Sequence, residues 1–412
     1  MSLTLSARDV RTALLSRQEI ALIDLRDESV FAGGHPLFAA QLPPHRIDIE
    51  IAARVPRRDA LVVVYDDGQG RVEFACDRLR FQGYSRVYSL ERGLAGWRAE
   101  GFELFEDVNS YSKAFGELVE SCRHTPSLSA DEVNALIGKH ANIAIFDARR
   151  FDEYHTMSIP TSTSVPGAEL VLHARVLAPD PGTMVIVNCA GRTRSIIGAQ
   201  SLINAKIPNP VAALRNGTIG WRLAGHSLET GQTRRALAGS LDVASDARQR
   251  AQGVSYRAGV RRISVDELAA LDADGHRALY RFDVRGPEEY ATGRPRGFFS
   301  APGGQLVQEI DAFAPLRGAR IVVADDLGAR AHMTASWLAQ MGWDAYVLDG
   351  GFDGPLETGM APVIAPRAAA GRYRRPYEGT DHAADAMHAY LEWEFGLVDQ
   401  LARDGTHGFF VT

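Results

Sequence analysis

One cysteine in this chain stands where its neighbours could make it reactive. The segment VIVNCAGRTRSIIGAQSLI (185–203) reads as a buried strand, a loop Cys189-Ala190-Gly191-Arg192-Thr193-Arg194, and a helix opened by Ser195. A parallel strand delivers such a residue to its carboxyl end, the side on which open α/β sheets place ligands. Backbone N–H groups of a tight loop can converge as an anion-binding nest, and the next helix adds the positive end of its dipole. Arg192 and Arg194 add formal charge. A thiol so placed is predicted to titrate below its ordinary value of ~8.5. Its thiolate can attack the outer sulfur of a donor, and the resulting Cys–S–S⁻ is an anion that the same cradle holds. An acceptor nucleophile then removes the outer sulfur and regenerates the cysteine. The competing reading is a plain buried cysteine, a common fate of this residue. A Gly-containing, doubly basic loop argues against it. Cys76, inside the helical segment VEFACDRL, and Cys122, in a connecting segment, are read as incidental.

The elements that must position this loop occur three times. Each copy opens with a Ser followed three residues later by an acid, a capping-box pattern: Ser6 and Asp9, Ser129 and Glu132, Ser264 and Glu267. A short strand ending in Asp-x-Arg follows: IALIDLR (20–26), IAIFDAR (143–149) and LYRFDVR (279–285), each with an aromatic five residues on, Phe31, Tyr154 and Tyr290. A β-branched strand comes next (61–65, 184–188, 320–324), then a polar loop with an Arg at a fixed place, a helix, a last strand and a Gly-rich turn (91–97, 215–221, 349–355). Alternating strand and helix patterns predict parallel α/β units with helices on both faces. The predicted organisation is three tandem domains, 1–108, 125–232 and 259–364, with linkers near 109–124 and 233–258 and a tail, 365–412, that carries a helix.

Bulk composition limits the alternatives. The 412 residues exceed one ordinary core. A net charge of -6, from 45 basic and 51 acidic residues, gives nucleic acid no general attraction. Three cysteines without a CxxC pair support neither a disulfide scaffold nor a zinc site, so no metal is expected. No stretch is apolar enough to span a membrane, the first residues do not read as a secretory signal, and a free thiol fits a cytoplasmic setting.

The order of Asp-x-Arg strand, Cys loop ending in Arg194-Ser195, and Gly217-x-x-Gly220-Trp221 turn resembles the rhodanese (sulfurtransferase) family. The likeness spreads over most of residues 1–364. The familiar loop carries Gly at its fourth position, whereas here Gly191 is third and Arg192 fourth. Related dual-specificity phosphatases have a loop one residue longer, with Arg six positions after Cys, where this chain has Ser195. The resemblance implies a sulfurtransferase with Cys189 catalytic and Ala190, Gly191, Arg192, Thr193, Arg194 and Ser195 binding substrate. It also places Arg149 at the pocket mouth, unless Asp147 and Arg149 form a structural pair, and makes Trp221 core. The expected partners are a small anionic sulfur donor such as thiosulfate and a thiol or cyanide acceptor, with no cofactor, nucleic acid or membrane. The alternatives are a persulfide carrier or thiol redox sensor acting on a partner protein, and a phosphatase or arsenate reductase.

Copies one and three have Asp66 and Asp325 where the second has Cys189, and keep the loop-end Arg as Arg71 and Arg330. Carboxylates cannot carry sulfane sulfur, so both copies are expected to be inactive, each acid serving as a built-in anion for its loop. Scaffolding, shaping of the entrance or homodimer contacts are the roles left to them. HPLFAAQLP (35–43) is read as core packing, with an interface as the alternative. In the tail, 382–402 reads as one helix capped by Thr380 or Asp381, with Met387, Leu391, Val398 and Leu401 on one face. Arg374 and Arg375 are read as a solvated connector, with recruitment of an anionic donor as the alternative.

Overall fold

A computed structural model of the chain describes residues 3–237, 239–361, 373–375, 377–378 and 380–412. The first sheet contains β1 (Thr4–Leu5), β2 (Ile20–Asp24), β3 (Ala39–Gln41), β4 (Leu61–Tyr65) and β5 (Arg86–Leu90). The second contains β6 (Ser127–Leu128), β7 (Ile143–Asp147), β8 (Thr163–Ser164), β9 (Met184–Asn188) and β10 (Val211–Leu214). The third contains β11 (Arg261–Ile263), β12 (Leu279–Asp283), β13 (Phe299–Ser300), β14 (Arg320–Ala324) and β15 (Asp344–Leu348). The strand orders are β1-β5-β4-β2-β3, β6-β10-β9-β7-β8 and β11-β15-β14-β12-β13. Within each sheet every pairing is parallel, so the three copies share one topology.

Local chemistry accounts for these elements. All three predicted capping boxes form, on Ser6, Ser129 and Ser264. The central strands β4, β9 and β14 are buried, as parallel strands covered on both faces must be. Each Asp-x-Arg closes on itself as a two-pronged ion pair: Arg26 on Asp24, Arg149 on Asp147 and Arg285 on Asp283. In HPLFAAQLP, Leu37, Phe38, Ala39, Ala40 and Leu42 are all buried, and Ala39–Gln41 is the edge strand β3.

The segments read as linkers are helices. Ser110–Arg123 buries Tyr111, Ala114, Phe115 and Val119 and packs along the helix Thr193–Asn204 that follows the Cys loop. Gly116 allows this approach, since a Cβ there would lie 2.8 Å from the Thr193 methyl carbon. Leu241–Arg257 packs on Ala329–Gln340 of the third copy and Leu170–Leu177 of the second. Trp337 of the third copy donates from Nε1 to Ser201 Oγ of the second at 2.9 Å and meets Phe115 edge-on. One hydrophobic cluster runs through the first and third copies and reaches Ile196 of the second.

The tail forms two helices, Ala383–Phe395 and Leu397–Asp404, where one was expected over 382–402. The break falls at Gly396, a residue that costs helix propensity. The helix begins after His382, whose N–H donates to Thr380 Oγ1 at 3.2 Å. Met387, Leu391 and Leu401 are buried and Val398 half-buried. The chain ends in the seam between copies, with Phe409 against Tyr111 and Phe115 and Phe410 N–H donating to Gln340. The expected end of the third copy at 364, and the connector residues 371–372, 376 and 379, lie outside the described residues.

Candidate active site

Cys189 leaves the carboxyl end of β9, and the Gly-rich turn after β10 fixes the loop from below. Thr218 N–H donates to the Cys189 carbonyl at 2.9 Å and Ile219 N–H to the Ala190 carbonyl at 3.0 Å. Gly217 makes this contact feasible: its φ is +53°, and a Cβ there would sit 2.3 Å from the Cys189 oxygen. Trp221 is fully buried beneath the turn and donates from Nε1 to the Ser227 carbonyl.

Around the sulfur, the Cys189 thiol donates to Ser195 Oγ at 3.5 Å, and the Ser195 hydroxyl donates to the Arg192 carbonyl at 2.8 Å. Cys189 is only 2% exposed. Burial pushes its thiol upward, against the pull of Arg194 and of the hydroxyl and backbone N–H of Ser195, and Glu394 pushes it further up. The predicted depressed thiol is therefore corrected for this closed geometry. Desolvation by burial is the largest influence and outweighs the pull of Arg194 and Ser195.

The two arginines play different parts. Arg194 shares the small cavity of Cys189 and holds Glu153 in a fork, Nη1 to Oε2 at 2.7 Å and Nη2 to Oε1 at 2.9 Å. Burial alone would raise the Glu153 carboxyl, yet Arg194, with Arg149 and Arg150 nearby, holds it down at about 2. Arg192 puts both Nε and Nη2 at 2.8 Å from Glu117, Nη1 on Asn216 and its guanidinium over Phe395. Its charge is thus paired with the helix Ser110–Arg123, while the residue still lines the Cys189 cavity. Arg149 also lines a broad chamber outside the loop, but its fork lies on Asp147 and the Met157 carbonyl. The same pair forms in the first and third copies, as Arg26 on Asp24 and Arg285 on Asp283.

Ala190, Gly191, Arg192 and Thr193 line the small cavity with Cys189. Sequence reasoning missed three acids. Glu153 had a detectable signal, because Glu289 holds the matching place in the third copy and pairs with Arg330. Glu117 and Glu394 had none, lying far from the loop in sequence. Arg375 is half-buried and lines the Cys189 cavity together with Tyr377, so it is not a solvated connector residue. Arg374 is exposed and lines only the outer chamber.

Comparison with known proteins gives the family. The Rhodanese-like domain pattern matches residues 6–100, 129–224 and 264–356. A crystal structure of thiosulfate sulfurtransferase from Pseudomonas aeruginosa is 48% identical, covers 99% of both chains and superposes with a TM-score of 0.96. The chain belongs to the rhodanese family of sulfurtransferases. A sulfurtransferase from Allochromatium vinosum is 34% identical over 91 residues, 22% of this chain and 83% of its own. The uncharacterized protein YibN of Escherichia coli is 26% identical over 98 residues, 24% of this chain and 68% of its own.

The two Cys-less rhodanese loops hold their carboxylates as the charge argument requires. Asp66 accepts the backbone N–H groups of Gly68 and Arg71, each at 2.8 Å. Asp325 accepts those of Arg330 and Ala331 at 3.3 Å, together with Arg330 Nε at 3.3 Å. Burial raises the Asp325 carboxyl to about 6 despite the Arg330 charge. Among the described residues no helix is long and apolar enough to cross a membrane.

Proposed function

We propose that this rhodanese moves sulfane sulfur from an anionic donor such as thiosulfate to a thiol or cyanide through a persulfide on Cys189. The observation that carries the reading is the placement of the Cys189 sulfur at the strand end, beside the Ser195 N–H and the Arg194 charge and 3.5 Å from Ser195 Oγ. Sulfane sulfur bound there extends the thiolate by one anionic atom, and the same donors serve both states. The likeness to thiosulfate sulfurtransferase supports thiosulfate as donor.

The reaction has two displacements. The Cys189 thiolate attacks the outer sulfur of thiosulfate, the Cys–S bond forms, the S–S bond breaks, and sulfite leaves with its electron pair. The acceptor nucleophile next attacks the outer sulfur of the persulfide, and Cys189 departs as thiolate. Arg194 offsets the negative charge in both steps, and the Ser195 hydroxyl can turn from the Arg192 carbonyl toward a charged sulfur.

The thiol's burial and upward shift weigh against a redox sensor, which needs an exposed and readily ionised sulfur. Intact-mass measurement after mixing with thiosulfate tests the proposal. One added sulfur atom is expected on the wild type, removable by cyanide and absent from Cys189→Ser. No mass gain, or an unchanged gain in the variant, overturns it.

A further inference from the structure

The rhodanese copies do not complete their own site. The tail helix Ala383–Phe395 lies over the Cys loop and brings Glu394 into the small cavity lined by Cys189, Gly191 and Arg194. Glu394 is 2% exposed, and its Oε2 accepts no hydrogen bond among the described residues. That oxygen lies 3.3 Å from where a Cβ on residue 191 would be, with Oε1 at 3.8 Å. Gly191 does not have a positive φ, so space rather than backbone conformation asks for glycine there. The loop's shifted glycine and the tail's carboxylate fit each other.

We propose that Glu394 is the proton carrier of the sulfur-transfer cycle, supplied to the Cys189 site by the C-terminal helix. The inference rests on the persulfide reading above. A buried thiol must lose its proton before it can attack, and a carboxylate whose Oε2 has no hydrogen-bond partner among the described residues lies in the same cavity to take it. As Cys189 attacks thiosulfate, its proton passes to the Glu394 carboxylate and sulfite leaves. In the second half Glu394 returns that proton to the outer sulfur of the persulfide. The acceptor thiolate then attacks a neutral sulfur, Cys189 leaves as thiolate, and the product is a protonated persulfide. Solvent reprotonates Cys189 before the next turnover.

The surroundings keep Glu394 ready for either role. Burial raises its carboxyl to about 7, Glu117 and Asp107 push the same way, and Lys113 and Arg192 oppose them. Arg375 and Tyr377 of the connector, and Tyr390 on its own helix, also line the cavity. Lys113 is held by Asp107 and sits over the rings of Tyr390 and Trp393.

The test is the rate of sulfur loading from thiosulfate, a donor that does not titrate in this range, read by quenched intact mass from pH 5.5 to 8.5. In the wild type the rate should rise with pH through an inflection near 7. Glu394→Gln should lose that inflection and load more slowly by about 10²-fold at pH 8. Lys113→Met removes the leading opposing cation and should move the inflection upward in a protein that keeps Glu394. A purely structural carboxylate would leave both profiles in place. Wild-type rates and pH dependence in Glu394→Gln, or an unmoved inflection in Lys113→Met, overturn the proposal while leaving the persulfide intact. A wild type that gains no sulfur at any pH defeats the underlying function instead.

Discussion

Arg192 grips Glu117, each of two guanidinium nitrogens 2.8 Å from a carboxylate oxygen, with both side chains buried. The pair anchors the Cys189 loop to the helix that joins the first two copies. Removing one member leaves the other charge buried and alone, which costs about 3–5 kcal/mol. Arg192→Ala should therefore lower the unfolding free energy by that order in denaturant titrations. Its KM for thiosulfate should change far less than that of Arg194→Ala. Equal losses of donor affinity in the two variants would show that Arg192 binds substrate.

Arg194 shares its cavity with the sulfur and, in the proposed cycle, compensates charge in both displacements. Arg194→Ala should reduce kcat/KM for thiosulfate by about 10²–10³-fold, the usual cost of one charge-stabilising donor. A reduction below tenfold in steady-state assays would remove Arg194 from the mechanism.

Glu153 sets a pH limit on stability. Its folded carboxyl is held at about 2, below its ordinary value of 4.5. A depressed carboxyl contributes stability that is fully present above the unfolded value and is lost as pH falls toward the folded one. The wild type should thus lose on the order of 3 kcal/mol between pH 5 and 2 that Glu153→Gln does not lose. Parallel stability curves for the two proteins over that interval would contradict the assignment.

Asp66 and Asp325 stand at the loop position that Cys189 holds in the second copy and take up N–H groups that would otherwise be orphaned. Asp66→Ala should cost about 1–3 kcal/mol of stability while sulfur loading at Cys189 persists. Unchanged thermal unfolding would mean that the loop satisfies its donors in another way.

What could be read in the sequence was local. Ser6, Ser129 and Ser264 cap their helices because an acid three residues on lies within one turn. Cys189, Arg194, Ser195 and the Gly217 turn are near neighbours along the chain or recur at fixed places, so their meeting was legible. The direction of Arg192 was not, since a loop arginine can turn inward or outward and Glu117 lies in a segment read as a linker. Glu394 was hidden for the same reason. On a helix read for its apolar face, an acid belongs to the solvent side until something covers it. The thiol's upward shift followed from that covering, which no window around Cys189 contains.

The edge-on meeting of Trp337 with Phe115, and the hydrogen bond from Trp337 to Ser201, make the repeats interdependent. The first and third copies buttress the second, and an excised middle copy would present to water the surfaces they now shelter. Such a molecule should melt as a unit rather than as three beads on a string. Selection on the Cys189 loop would accordingly be felt in all three folds.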